Sequence, residues 1–396
     1  MSRALLAALA TGVLGACAHG GQPVPPRAPT TATVLGHYYV DGEGLNVVTT
    51  GMTVTQPVTE GLSVELRGLA DRIEVNTPEH VHVDEGNPDT GHTHDGDVDA
   101  ITGASVRVVA GDHLEEWRFE GGAALKLARR VGDAPVTLTV AGRVSNEPDY
   151  LAFSGRVSGS VELFERNTAL SGFVGFGRDR VSPLEAPPGE LALWPATHLR
   201  LVAGTALTQL LSPSVMASAG LGASLQSGQL SSPYRRAWVR TTLFPEHLPD
   251  TRGRFTGYAG LSWALGQGVA VHARQGLYGD TWGVWALAPE ASVAVELGAR
   301  GLVSVRYRFF RQWPASFYQP RYEELLDVRS SDVRLGALRG HQPGVKLAWT
   351  LWGRRGTAEA LNVQGGYELS LLRHLQLQGQ RETRAHIVSL GVQGGF

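Results

Sequence analysis

Alternation of apolar with small or polar residues at every second position is the feature that most constrains the fold of this chain. Within residues 150–164 the odd positions carry Leu151 and Phe153, whereas the even positions carry Ser154 and Arg156. Successive side chains of a strand point to opposite faces, so such a segment has one apolar and one polar face. An arginine on the polar face indicates water on that side. The pattern therefore predicts barrel strands with lipid outside and water inside.

The last residues of the chain repeat this alternation and stop on an aromatic side chain. Val388, Leu390 and Val392 share one face with the terminal Phe396, whereas Gln393 lies on the other face. Such an ending is typical of the closing strand of an outer-membrane barrel, so we expect barrel-assembly machinery and outer-membrane lipid as partners. The alternative is an ordinary amphipathic edge strand that ends the chain.

Composition excludes several other classes of protein. No segment after the first residues approaches the ~20 apolar residues that a spanning helix needs. The net charge of −2 gives no general attraction to nucleic acid. A soluble β-sandwich closes within about 100 to 250 residues, and this chain has 396 without an evident domain break. We predict an all-β fold, a single antiparallel transmembrane β-barrel of about 16 strands, with 14 to 18 as the range.

The first residues are typical of an export signal. Arg3 supplies the positive charge and residues 4–13 the apolar stretch, so residues 1–18 are interpreted as a signal peptide. Two processing sites remain open. Leu14 to Cys17 resembles a lipobox that would lipidate Cys17, whereas Ala16 to Ala18 fits ordinary signal peptidase. Residues 19–32 are interpreted as a flexible tether before a barrel domain at 33–396.

Turn residues divide the barrel domain into strands. We predict strand starts near residues 33, 46, 61, 114, 134, 150, 167, 197, 213, 254, 268, 283, 300, 344, 359 and 384. Long polar loops are predicted near 76–112, 180–197, 228–253 and 312–343. Bacterial barrels keep short turns in the periplasm and long loops outside. We therefore expect the outer membrane of a Gram-negative bacterium, with these loops at the cell surface.

Several short motifs resemble one family in particular. They include Val144 to Tyr150, Glu165 to Thr168, Gly228 to Arg235, Pro249 to Arg254 and Tyr278 to Trp282. These segments resemble the DUF3570 family of outer-membrane barrels, which is uncharacterised. The resemblance implies location and architecture, and it supplies no catalytic residues.

Charged residues recur near the predicted outer ends of the strands. As lumen or rim charges we select Glu147, Asp149, Asp179, Arg252, Arg254, Asp280, Arg306 and Arg308. They could pair with one another at a rim, or they could filter charged solutes. A set of aromatic residues is interpreted as interfacial, comprising Tyr150, Trp282, Trp285, Tyr307, Tyr318 and Trp349.

One predicted external loop is rich in histidine. Its candidate metal ligands are His80, His82, Asp84, His92, His94 and Asp95. Paired imidazoles with a carboxylate suit Zn²⁺, Cu²⁺ or Ni²⁺. The alternative is a solvated acidic loop without a metal, because the intervening glycines and Pro88 loosen the chain. Apart from this loop, the sequence indicates no cofactor.

These observations favour a pore or channel for a small solute or an exported product, with the solute unidentified. The alternative is a non-conducting surface scaffold or binding module whose loops fill the lumen and whose histidine-rich loop could bind a metal or a partner. An enzyme is not expected, because the serine-hydrolase elbow, the zinc-protease helix motif and the phosphate-binding loop are all missing from the sequence.

Overall fold

The computed structural model of the protein describes residues 29–42, 44–76, 96–99, 105–108, 113–183, 194–233, 235–377 and 381–396. In chain order the strands are β1 (Thr31–Asp41), β2 (Leu45–Thr59), β3 (Leu62–Asn76), β4 (Gly96–Asp99), β5 (Ser105–Val108), β6 (His113–Val131), β7 (Ala134–Asn146), β8 (Tyr150–Leu163), β9 (Thr168–Val181), β10 (Ala196–Ser212), β11 (Val215–Gly228), β12 (Arg236–Val239), β13 (Thr242–Pro245), β14 (Thr251–Gly266), β15 (Val269–Asp280), β16 (Trp285–Leu297), β17 (Gly301–Trp313), β18 (Leu338–Trp352), β19 (Leu361–His374) and β20 (Glu382–Gly395). One short 3₁₀ helix spans Val333–Leu335.

Sixteen of these strands form one closed antiparallel barrel, which confirms the predicted fold class. The remaining four form two small hairpins, β4 with β5 and β12 with β13. The barrel closes where β1 pairs with β20, from Thr31 opposite Gly395 to Asp41 opposite Ala385. Closure leaves no edge strand in the barrel, so every strand is hydrogen-bonded on both sides. No helix among the described residues is long and apolar enough to cross a membrane.

The outer wall is apolar and the inner wall polar. Phe176, Leu221 and Leu390 project outwards, with 64%, 70% and 64% of their surfaces exposed. Side chains between them along the same strands, such as Asp179, turn inwards and are buried. Large exposed apolar surface is unfavourable in water but favourable in hydrocarbon. The alternation seen in the sequence therefore corresponds to a lipid-facing wall around a polar lumen.

Short turns and long loops lie at opposite ends of the barrel. The turn end carries connections such as 60–61, 132–133 and 267–268, whereas the loop end carries 77–112, 182–195, 229–250 and 314–337. At the turn end Gly61 has a φ of +73°, and a Cβ there would overlap the carbonyl group of Ala128. Glycine is therefore required at that tight approach.

The start of β18 differs from the prediction. A start near residue 344 was expected because residues 312–343 form a long polar stretch that ends at a proline. The strand instead begins at Leu338. Its ladder with β19 passes from His341 opposite Leu371 directly to Gly344 opposite Glu368, so Pro343 lies in a gap on that side. A strand tolerates proline where its neighbour does not need the missing N–H.

Candidate functional site in the barrel lumen

Two loops at the loop end fold together into one body, here called the cap, which comprises residues 229–233, 235–250 and 314–337. A cluster of buried residues joins it to the connection after β15, and this cluster comprises Leu248, Trp282, Val284, Ala315, Tyr318 and Leu335. A second cluster brings Ala237 and Val239 of the β12–β13 hairpin against Tyr322. The cap thus has apolar cores of its own, unlike a solvated loop.

Backbone hydrogen bonds connect the two halves of the cap. His247 N donates to Arg329 O at 3.0 Å, and Arg329 N donates to His247 O at 2.8 Å. Tyr322 N donates to the carbonyl of Trp238 at 2.8 Å. These bonds satisfy backbone groups that burial would otherwise leave unpaired, so they hold the halves in a defined register.

A carboxylate is buried between the two halves. Glu246 has 4% of its surface exposed, accepts a hydrogen bond from the hydroxyl of Ser330 and accepts another from Ser232 N at 3.2 Å. Burial raises the pKa of Glu246, while the nearby charge of Arg235 opposes this shift. Removing these partners would leave a buried polar group unsatisfied, which is costly.

The cap is attached to the inner wall of the barrel. Gln312, at the end of β17, donates from Nε2 to the carbonyl oxygens of Arg334 at 2.7 Å and Gly336 at 2.8 Å. On β14, Arg252 pairs with Asp280 at 2.5 Å, and its guanidinium lies 4.0 Å from the ring centroid of Trp282. The 3₁₀ helix that carries Arg334 is therefore held inside the mouth of the lumen.

Beneath the cap lies a cavity of about 460 Å³. Its wall residues come from β8, β9, β10, β11 and β14, and its roof residues come from the cap. Arg252 and Arg334 also border a second cavity of about 380 Å³, together with Tyr278 and Arg308. Arg252 and Arg334 thus lie between two spaces within the lumen.

The larger cavity carries more positive than negative charge. Its lining includes five arginines and three aspartates, namely Arg200, Arg235, Arg252, Arg254, Arg334, Asp149, Asp179 and Asp332. Asp332 is shared between Arg235 and Arg334, each at 2.9 Å. Among the described residues, buried Arg254 Nε and buried His198 Nε2 have no hydrogen-bond partner, and neither has Asp179 Oδ1, which lies 3.9 Å from Arg200. Unpaired nitrogen atoms in a positively charged cavity are suited to an anion.

An acidic cluster lies beside this cavity, at the same end of the barrel. Carboxylate oxygens of Glu116, Glu147 and Asp149 lie within 4.8 Å of one another. Burial, and secondly the charge of Glu116, raise the pKa of Glu147 to about 7. Like charges at this spacing favour retention of a proton, so the cluster is a pH-sensitive part of the mouth.

Further ion pairs line the lumen. Arg306 contacts Glu368 at 2.5 Å and Glu290 at 3.5 Å. On the opposite side, Glu120 lies between Arg143 at 3.3 Å and Arg67 at 3.9 Å. The wall is therefore charged along much of its height, with the charges largely compensated.

The structure brings together most of the predicted rim charges. Asp149, Asp179, Arg252 and Arg254 line the larger cavity, and Asp280 pairs with Arg252 beside it. Glu147 lies in the acidic cluster, whereas Arg306 and Arg308 lie further from the loop end. Their proposed role as a charge filter stays a prediction.

Other residues of the candidate site were missed by the sequence analysis. His198 and Arg200 share the inward parity of β10, so alternation could have indicated them. The cap residues Arg235, Asp332 and Arg334 carry no local signal, because their positions depend on contacts between distant loops.

Three of the predicted interfacial aromatic residues were assigned wrongly. Trp282 and Tyr318 are each only 6% exposed and belong to the core of the cap. Tyr150 lines the larger cavity. Trp285, Tyr307 and Trp349 are exposed on the outer wall as expected, at 63%, 47% and 38%.

Some predicted sites fall outside the described residues. They are Cys17 and the six ligands His80, His82, Asp84, His92, His94 and Asp95. Lipidation and metal binding therefore stay predictions.

Comparison with known proteins identifies a family and a set of similar folds. The model of the family described as "Protein of unknown function (DUF3570)" matches residues 105–369. No curated protein matches the chain.

Solved structures of similar fold include a bacterial polysaccharide outer membrane secretin, at 11% identity and a TM-score of 0.48, covering 94% of this chain and 100% of that one. The siderophore receptor PirA from Pseudomonas aeruginosa has 10% identity and a TM-score of 0.41, with coverages of 93% and 81%. A BenF-like porin from Pseudomonas fluorescens Pf-5 has 9% identity and a TM-score of 0.41, with coverages of 93% and 98%.

Proposed function

The chain belongs to the DUF3570 family, whose function is unknown, and we propose that it is an outer-membrane pore that passes small anionic solutes. The single observation that carries this proposal is the positively charged cavity beneath the cap, where Arg254 and His198 present unpaired nitrogen atoms. The proposal assigns transport and no catalysis to the protein.

The sign of the charge supports anions over cations. Arg200, Arg252 and Arg254 all line the cavity. The charge of Arg252 is compensated by Asp280 at 2.5 Å, whereas Arg200 is 3.9 Å from Asp179. A lumen with low-dielectric walls focuses the field of such groups and raises the local concentration of counter-ions. Rings of arginine are a general means of selecting anions in pores.

The size of the cavity supports a small solute. Its volume of about 460 Å³ falls within the ~300–1,000 Å³ typical of sites for small molecules. Arg334 lies between this cavity and the second one of about 380 Å³. A solute would therefore have to pass the cap, and movement of the 3₁₀ helix would gate that passage.

The outer wall supports location in the outer membrane of a Gram-negative bacterium. Lipid covers its exposed apolar side chains, and the polar loops remain in water at the cell surface. With this orientation the cap and its cavity face the outside, and the turn end faces the periplasm.

The proposal predicts a defined ion selectivity, measurable with refolded protein in planar bilayers under a KCl gradient. The wild type should favour chloride, and Arg254→Gln should shift the reversal potential towards the value for a non-selective pore. Arg178→Gln is the matched control, because Arg178 is exposed on the outer face of β9, where neighbouring Asp179 turns inwards. Equal shifts for both variants, or a cation-selective wild type, would contradict the proposal.

The second candidate function is a non-conducting surface scaffold or binding module, and it is favoured by the two buried clusters of the cap. It would be supported by protein that inserts into bilayers but gives no current, either intact or after deletion of residues 78–98. Current that appears only after the deletion would indicate a gated pore whose loop blocks the lumen.

A further inference from the structure

A row of arginines crosses the outer wall at the loop end, on the strands next to the closing seam. Arg311 of β17 is directly opposite Arg339 of β18, and Arg339 is directly opposite Arg373 of β19. Glu382 of β20 continues the row opposite Arg373, and Arg384 follows on the same face of β20. We call this set of four arginines and one glutamate the basic row.

These side chains face outwards, away from the lumen. Arg311 has the strand parity of the exposed Val305 and Tyr307, and Arg339 has the parity of Val345. The side chains of Arg373 and Arg384 are 55% and 70% exposed. The row is therefore separate from the charged cavity.

The charge of the basic row is only partly compensated among the described residues. Glu382 accepts hydrogen bonds from Arg373 and Arg384, each at 2.9 Å. This arrangement leaves three more arginines than carboxylates in the row. Arg311 Nη1 is buried without a hydrogen-bond partner in the described part of the chain. Like charges directly opposite each other weaken strand pairing, so an anionic partner would relieve a cost built into the wall.

The surface changes character from the basic row towards the turn end. Next come two pairs of polar rings, with Tyr307 Oη 2.6 Å from His341 Nδ1 and Tyr367 Oη 2.8 Å from His386 Nδ1. Beyond them the wall is apolar, with Val305, Val345, Leu347, Val388 and Leu390 exposed. Arg311 and Val305 lie on one strand, roughly 20 Å apart at ~3.3 Å per residue. Tyrosine and histidine suit the boundary between headgroups and acyl chains.

From this sequence of layers we propose that the basic row binds the phosphate groups of a phosphorylated glycolipid in the outer leaflet, whose acyl chains lie on the apolar wall below. Guanidinium groups bind phosphate oxygens in a bidentate manner, and several adjacent arginines match a lipid that carries more than one phosphate. The proposal requires the loop end to face the outside, but it does not require the barrel to conduct.

The outer wall has a second charged surface at the height of the basic row, and its charge differs. Arg72 also projects outwards near the loop end, but it pairs with Glu115 at 2.9 Å and Glu74 at 3.5 Å. Among the described residues this surface has two carboxylates around one guanidinium, so it should attract phosphate less than the basic row does. Recognition is therefore expected at the basic row and not at the surface around Arg72.

The test is retention of lipid A by the full-length protein in detergent, measured by native mass spectrometry with added diphosphorylated lipid A. The Arg311→Gln/Arg339→Gln double variant should bind at least ten-fold more weakly than the wild type. The Arg72→Gln variant should bind as the wild type does. Both variants are first checked for the heat-dependent gel shift of a folded barrel, and the double substitution removes a repulsion, so it should fold.

Three results would overturn the proposal. One is equal retention of lipid A by the wild type and the folded double variant. Another is equal binding of dephosphorylated lipid A by the wild type, which would mean that only the apolar wall recognises lipid. The third is full displacement by an equal concentration of phosphatidylglycerol, which would mean that any anionic headgroup suffices.

Discussion

Gln312, on the barrel wall, donates from its Nε2 to the carbonyl oxygen of Arg334 at 2.7 Å, so the loop that leaves β17 is tied back to the strand it leaves. The same amide nitrogen reaches Gly336 O at 2.8 Å. One wall side chain thus fixes the 3₁₀ helix that separates the two lumen cavities.

Gln312→Ala should therefore loosen the cap without breaking the barrel. Loss of two hydrogen bonds costs about 1 to 3 kcal/mol, and each ~1.4 kcal/mol is a factor of ten in the population of the open form. Cleavage within residues 314–337 by trypsin should become about ten-fold faster, because cleavage follows that population. Gln364→Ala, on the lumen side of β19 nearer the turn end, is the control and should leave the cleavage rate unchanged.

Gly228→Ala should destabilise the protein where β11 passes into the cap. Gly228 has a φ of +117°, and a Cβ there would overlap the carbonyl group of Thr197. A side chain in that conformation costs about 1 to 3 kcal/mol. Gly121→Ala is the matched control, since a Cβ at Gly121 has no neighbour within 4 Å. Urea unfolding of the refolded protein should show a lower midpoint for Gly228→Ala than for Gly121→Ala. Equal midpoints for the two variants would show that a side chain at position 228 causes no strain.

Glu147→Gln should change how stability depends on pH. Burial, then the charge of Glu116, raise the pKa of Glu147 from 4.5 to about 7. A carboxyl with a raised pKa in the folded state contributes stability that is complete below pH 4.5 and is lost as the pH rises through about 7. The variant keeps a neutral group, so it should be more stable than the wild type at pH 8 and similar at pH 5. Urea midpoints at both values measure this, with Glu60→Gln in an exposed turn as the control. If Glu147→Gln changed the urea midpoint by the same amount at pH 5 and at pH 8, the raised pKa of Glu147 would be contradicted.

Cys17→Ser decides how the signal peptide is processed. If Cys17 is lipidated, the wild type carries an acyl modification that the variant lacks, and intact-mass spectrometry of membrane-extracted protein measures the difference. A wild-type chain that is unmodified and begins at His19 would establish ordinary cleavage instead.

Most of the barrel could be predicted because its signals are local. Alternation within single strands predicts that Arg252, Arg254 and Asp280 point into the lumen. Turn residues such as Gly132 and Gly268 mark where strands end. Only the start of β18 was clearly displaced, because the tolerance of Pro343 depends on a gap in the ladder with a neighbouring strand.

The cap could not be predicted, because long-range packing decides it. Trp282 looks like an interfacial residue in its own segment, yet it packs edge to face against Phe317, with ring centroids 5.6 Å apart. Likewise, Asp332 has two arginine partners, and one of them, Arg235, comes from a different loop. No periodicity within either loop encodes these contacts.

The closing seam also makes this barrel a candidate for circular permutation. Thr30 and Phe396 exchange two backbone hydrogen bonds, at 3.0 and 2.9 Å, so both ends of the barrel chain lie side by side at the turn end. A linker of a few residues could join them, and new ends could be opened in an exposed turn such as Gly132–Asp133. Every strand would keep both of its neighbours, but the order of the strands along the chain would change. The order of strand insertion could thus be varied while the final barrel stays the same.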